Sequence, residues 1–212
     1  ATNRGGHSSA PRPDNAIYAL SNALTALEAH RFPAMVNDAT RAGFALLAEK
    51  DGGQYGELIK RFLADPNDRE TADLVEANDP GSTRTRCVAT MLSGGHAPNA
   101  LPQKAEANVN CRIFPGVKVE DVRQQLQTLA GPDVMVTAVE GSQTPETAPT
   151  AIRQDILDAY KAAVATRFKD APVVPYQSAG ATDGAFLRAN GIPVYGFGGL
   201  WSIVGEREGA HG

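Results

Sequence analysis

The clearest pattern in the chain lies over residues 105–113, where polar and apolar positions alternate with period two. Ala105, Ala107, Val109, Cys111 and Ile113 fall on one face; Glu106, Asn108, Asn110 and Arg112 fall on the other. The first face is small and apolar, which predicts a strand lying on a core. The second carries two carboxamides and a guanidinium in line. It reads either as a solvated face or as a surface that grips an anion, because arginine presents a planar fork of donors matched to a carboxylate. Asn99 and Pro102 introduce the strand with a turn, from which a further side chain can join that surface.

Helical spacing dominates elsewhere. Ala16, Ile17, Leu20, Ala23, Leu24 and Leu27 predict a helix that Asp14 caps and Phe32–Pro33 ends. Residues 36–49, 55–64 and 70–77 form helical patches separated by DGG, DPND and NDPG turns. They predict a peripheral insert of short helices, about 31–82, with no catalytic role. A strand follows over 83–92, then the loop SGGHAPNALP, the alternating strand, a helix over Val119–Ala130 and a strand over 134–140. With a strand running into Arg4, the order is strand, helix, insert, strand, strand, helix, strand. That order predicts an α+β fold of ferredoxin-like βαββαβ type, an antiparallel sheet with both helices on one face. The edge strand near residues 85–92 is left free for a partner.

Residues 141–150, GSQTPETAPT, read as a linker. Beyond it come a helix over 152–168, a short strand over 173–176, the loop SAGATDG, a helix over 185–190 and a strand over 192–197. This run is α/β in character, but about sixty residues cannot fill a doubly wound sheet. The expected division is therefore 1–140, a linker, and an incomplete unit at 151–212.

Composition narrows the classes. The chain has 212 residues, 42% hydrophobic and 21% charged, enough to bury a core without staples. A net charge of -4 gives no reason to expect a nucleic-acid partner. No apolar run is long enough to span a bilayer. Cys87 and Cys111 lie on the apolar phase of predicted strands and read as small core residues rather than a disulfide or metal pair. The chain opens on ATNRGGHSS and closes on GAHG; both ends look cut, and a piece of a larger protein is expected.

Four histidines are candidates for chemistry. His30 ends a helix, where its charge would favour the C-terminal dipole. His96 sits in a GGHA turn. His7, in RGGHSSAP, is either an exposed loop residue or a donor to a substrate carbonyl, with two glycines letting the backbone approach. Ser8 and Ser9 have no nucleophile-elbow pattern around them. His211, with Glu206 and Glu208 nearby, is too few groups for zinc, and there is no HxD, HExxH or CxxC pattern. Gly180, Thr182 and Asp183 lie in GATDG before a helix, where free N–H groups attract carboxylate or phosphate and Thr182 or Asp183 can act as the cap.

RGGHSSAP with the following PDNAI, GGHAPNALPQKAEANVNCRIFPG, GATDGAFLRANGIPVYGFG and the terminal HG stand in one order. Together they resemble the aminoacylase/carboxypeptidase family of dinuclear zinc metallopeptidases, peptidase family M20. The resemblance covers residues 1–30 and about 83–212, outside the insert. It implies a ferredoxin-like lid that forms a homodimer, and the end of a catalytic domain whose front carries most metal ligands and the general base. It implies His7 as the residue that reaches the partner subunit's site and polarises the scissile carbonyl, Asn99 as a substrate contact and Arg112 as the carboxylate binder. Gly180, Thr182 and Asp183 match a substrate-contacting loop, with Ala181 where many members have glycine. His211 matches the last metal ligand. The implied reaction is hydrolysis of peptide or N-acyl amide bonds by two zinc ions, with cobalt or manganese as alternatives, and this chain alone is expected to be inactive and to bind none. A non-catalytic ferredoxin-like dimerisation or ligand-sensing module is the alternative reading.

Overall fold

A computed structural model describes residues 1–139, 141 and 145–197. The chain pairs in short antiparallel ladders. β1 (Gly6–His7) pairs with β3 (Ala100–Leu101), and β2 (Arg86–Gly94) pairs with β4 (Ala105–Arg112). Thr2 bridges Lys104, so the first residues lie antiparallel beside the start of β4. Among the described residues, the alternating stretch is thus a strand as its pattern predicts, and Ala105 at its start is 2% exposed.

α1 (Ala16–Ala29) and α5 (Val119–Ala130) cover the apolar side of that pair. Ala16, Leu20 and Ala23 pack with Ala105 and Val134; Val122 and Leu126 pack with Phe32, Cys87, Cys111 and Ile113. Asn15, not Asp14, caps α1: its Oδ1 accepts the Ile17 and Tyr18 N–H groups at 2.9 and 3.3 Å. Asp14 instead accepts from two nitrogens of the Arg12 guanidinium, Nε and one terminal nitrogen. His30 closes α1 through its backbone N–H to Leu27 O. Its ring lies edge-on to Phe32. Burial, with the positive charges of Arg69 and Arg31, holds the imidazole pKa below its usual value. A charged His30 at the helix end is therefore not what the structure builds. Arg31 supplies the cation there, donating to the Glu28 and His30 carbonyls.

Cys87 and Cys111 are not free core thiols: they form a disulfide across the β2–β4 ladder. Their phase was correct, since both pack beside Val122 and Leu126. The register that places them opposite each other could not be read from either strand alone.

The insert holds the most completely buried side chains. α2 (Asp38–Asp51), α3 (Gln54–Ala64) and α4 (Arg69–Asn78) enclose Phe44, Ala48, Ile59, Phe62, Ala72 and Val75. The Met35 N–H donates to Thr83 O at 2.7 Å and closes its stem. Two ion pairs then fasten α4 to the start of β2: Asp73 with Arg84 at 2.7 Å and Glu76 with Arg86 at 3.3 Å.

Among the described residues, three expected strands are not formed. Residues 134–139 run without a ladder, tied to α5 by Gln127, whose amide bonds the Gly131 and Val134 carbonyls and the Val136 N–H. Residues 173–176 and 192–197 likewise lack a paired neighbour. α6 (Gln154–Ala165) has no buried residue, and Tyr176, Phe186, Ile192 and Phe197 are exposed, so this part has little core of its own. α7 (Gly184–Ala189) follows the GATDG loop. No helix among the described residues is long and apolar enough to cross a membrane.

Candidate functional site

The sheet gathers the candidate side chains at two separate places. At one end, β1 and β3 join the His7 turn to the Asn99 turn: His7 pairs with Ala100, and the Ser8 N–H donates to Asn99 O at 2.9 Å. Gly5 makes this possible with φ 72°, and a Cβ there would stand 2.7 Å from Gln103 Cγ. His7 is exposed, and its Nδ1 accepts the Ser9 backbone N–H at 3.2 Å, with the Ser9 hydroxyl at 2.8 Å. An Nδ1 that accepts leaves the proton of the neutral ring on Nε2, which is therefore a donor free to point outward. The glycines and the short β1–β3 pairing thus present an imidazole N–H at the turn that carries Asn99.

At the other end stands Arg112. β4 rises roughly 3.3 Å per residue, so Arg112 lies about 23 Å along the strand from Ala105. Its guanidinium is exposed, with no hydrogen bond or ion pair among the described residues. The same face carries Asn110, Asn108 and Glu106, the last paired with Lys104. Arg112 is therefore not brought to His7 and Asn99 within one chain.

A cleft of about 2540 Å³ runs between β4, residues 134–139 and residues 171–182. Arg112, Gly180 and Thr182 line it; His7, Asn99 and Asp183 do not. In the GATDG loop, Gly180 N–H donates to Ser178 Oγ at 3.1 Å. Thr182 Oγ1 accepts the Gly184 N–H at 3.3 Å, while Asp183 makes no side-chain cap bond to α7. His211, Glu206 and Glu208 lie outside the described residues.

Sequence reasoning passed over Arg86 and the polar group beneath it. Glu76, 11% exposed at its side chain, accepts the Gly81 N–H at 2.9 Å and the Thr83 hydroxyl, besides pairing Arg86. Only the fold shows which carboxylate meets which arginine: Asp73 meets Arg84 and Glu76 meets Arg86. Among the described residues, no group of three or more His, Cys, Asp or Glu is placed to hold a metal ion. The described part does not by itself fit a zinc centre.

The described residues thus give short antiparallel ladders with helices on one face, an exposed imidazole at one end and an exposed guanidinium at the other. The chain matches the peptidase dimerisation domain over residues 1–135, and it belongs to peptidase family M20. The match runs from before the helical insert to beyond it. Among its relatives, the N-fatty-acyl-amino acid synthase/hydrolase PM20D1.1 of Danio rerio is 26% identical over 98% of this chain and 41% of that protein. The probable carboxypeptidase S-like 2 of Dictyostelium discoideum is 27% identical over 61% of this chain and 25% of that protein. Aminoacylase-1 of Pongo abelii is 32% identical over 51% of this chain and 27% of that protein. The chain thus spans about two fifths or less of the length of these relatives. No solved structure matches it.

Proposed function

We propose that this chain is the lid, residues 1–140, a linker at 141–150, and the C-terminal part of the catalytic domain, 151–212, of a metal-dependent hydrolase of peptide or N-acyl amide bonds. The joining of the His7 turn to the Asn99 turn carries the reading. It brings the His7 Nε2–H donor and the turn carrying Asn99 to one exposed end of the lid. His7 donates to the substrate carbonyl of the partner subunit's site and stabilises the charge that develops on that oxygen. Asn99 contacts the same substrate. Arg112 takes the free carboxylate in a forked pair of hydrogen bonds. Gly180, Thr182 and Asp183 form a loop against the substrate, and His211 is a metal ligand. Zinc is the expected metal, completed by ligands from outside this chain.

The placing of Arg112 about 23 Å along β4 from Ala105, with His7 paired beyond the other end of that strand, supports division of labour between subunits, each lid serving two sites. Homodimerisation through β2 is supported by Val88, Met91 and Leu92, all exposed on that edge strand. The Thr2–Lys104 bridge supports a ferredoxin-like lid, with the first residues of the chain lying antiparallel beside the start of β4.

Hydrolysis of N-acyl amino acids and dipeptides by a longer protein carrying this chain tests the reading, with zinc supplied. Arg112→Ala is expected to raise KM about tenfold or more for substrates with a free carboxylate, and His7→Ala to lower kcat. An unchanged KM removes Arg112 from the site. This chain alone is expected to show no turnover.

A further inference from the structure

Arg86 and Arg112 face each other directly in the β2–β4 register, so both side chains leave the same face of the sheet. Like charges at directly opposed positions disfavour a sheet. Among the described residues one carboxylate meets the pair: Glu76 Oε1, 3.3 Å from Arg86 Nε. Glu76 is itself fixed by the Gly81 N–H and the Thr83 hydroxyl, so it holds Arg86 by the stem side of its guanidinium. The two terminal nitrogens of Arg86, and the whole Arg112 fork, have no partner among the described residues. Two guanidinium groups with one partial counter-charge leave a local excess of positive charge on an exposed face.

We propose that Arg86 and Arg112 form a paired clamp that makes the site selective for substrates with two carboxylates, peptides or N-acyl derivatives of aspartate or glutamate. The inference rests on the role proposed above for Arg112. Arg112 takes the main-chain carboxylate, and Arg86 takes the side-chain carboxylate one strand away. Opposed residues of neighbouring strands stand about 4.5–5.5 Å apart at Cα, a separation that suits the two ends of a short dicarboxylate. Each guanidinium can then offer a forked pair of donors to its own carboxylate. Glu76 is a positioning residue: it belongs to the insert, which thereby gains a part in specificity although it contributes no contact to substrate.

The test uses this chain and two simple anions, glutarate and butyrate, titrated at equal ionic strength while the arginine Nε–H resonances are followed by NMR. Glutarate is expected to bind about tenfold more tightly than butyrate, shifting the Nε–H signals of both arginines, because it adds one charge-assisted pair. Arg86→Gln is expected to bring glutarate down to the level of butyrate and leave butyrate unchanged. Arg112→Gln is expected to abolish both. A preference for glutarate that survives Arg86→Gln, or no preference at all, overturns the clamp while Arg112 keeps its role. Indifference of both anions to Arg112→Gln overturns the role of Arg112 and the clamp together.

Discussion

Cys87 and Cys111 stand opposite each other in the β2–β4 ladder with Cα atoms 4.1 Å apart, one register step from Arg86 and Arg112. The disulfide therefore ties the two strands at the point where the two arginines leave the sheet. It closes a loop across a sequence separation of 24. Reduction, or replacement of both cysteines by serine, is expected to cost about 2–4 kcal/mol. Urea denaturation with and without a reductant measures this; equal midpoints would mean that the bond adds nothing to stability.

Arg84 is 4% exposed, and its ion pair with Asp73 is the contact that accompanies its burial. Its Nε has no acceptor, so the site already carries one unmet donor. Asp73→Ala is expected to destabilise the protein by about 2–3 kcal/mol, since a buried guanidinium then loses its charged partner. Arg84→Met in the Asp73→Ala background should recover part of that loss. A double-mutant cycle by chemical denaturation decides the point.

Gly5→Ala meets two obstacles: a left-handed φ of 72° and a Cβ position 2.7 Å from Gln103 Cγ. The first costs about 1–2 kcal/mol. Gln103→Ala should relieve the contact and leave the backbone cost. Amide spectra are expected to move at residues 6–9 and 99–101 while the insert stays still. A spectrum changed throughout would show that the His7 turn is not locally held.

Glu120 opens α5 and accepts hydrogen bonds from Arg123 and Gln124, which pull its pKa down to about 2. A carboxyl whose pKa is lower folded than unfolded adds stability above the unfolded value. That stability is lost as pH falls from the usual glutamate range towards 2. Carboxyl carbon shifts followed by NMR should show this midpoint, and Arg123→Ala should move it upward. A midpoint in the ordinary range would mean the ion pair does not persist in solution.

The helices and β4 were legible because each carries its own period. α5 is bounded as its pattern predicts, and the insert helices begin within two residues of expectation. Period two also reported which side of β4 is buried. It could not report neighbours. Residues 134–139, 173–176 and 192–197 have strand-like composition, but a strand exists only where another backbone lies alongside, and none does among the described residues. Pairing decided the cysteines in the same way. For His30 the sequence showed a helix end but not Phe32 folding back on the ring, nor Arg69 and Arg31 nearby. At the candidate site, His7, Asn99 and Arg112 are expectations from motif order, and the structure adds that the turns of the first two are joined. Arg86 was not, because what marks it out is the residue across the ladder and a glutamate ten positions earlier in a helix.

Between Ala89 and Met91 the register slips by one, so that Thr90 has no opposite number in β4. The Thr90 hydroxyl accepts from Asn108 Nδ2 at 3.0 Å and reaches the Asn108 carbonyl at 3.4 Å, which fixes where the surplus sits. The strand therefore has one position at which its length is negotiable. Excising Thr90 leaves every other pair in step; excising Val88 while Thr90 stays unpaired would turn Arg86 to the helix side, away from Arg112.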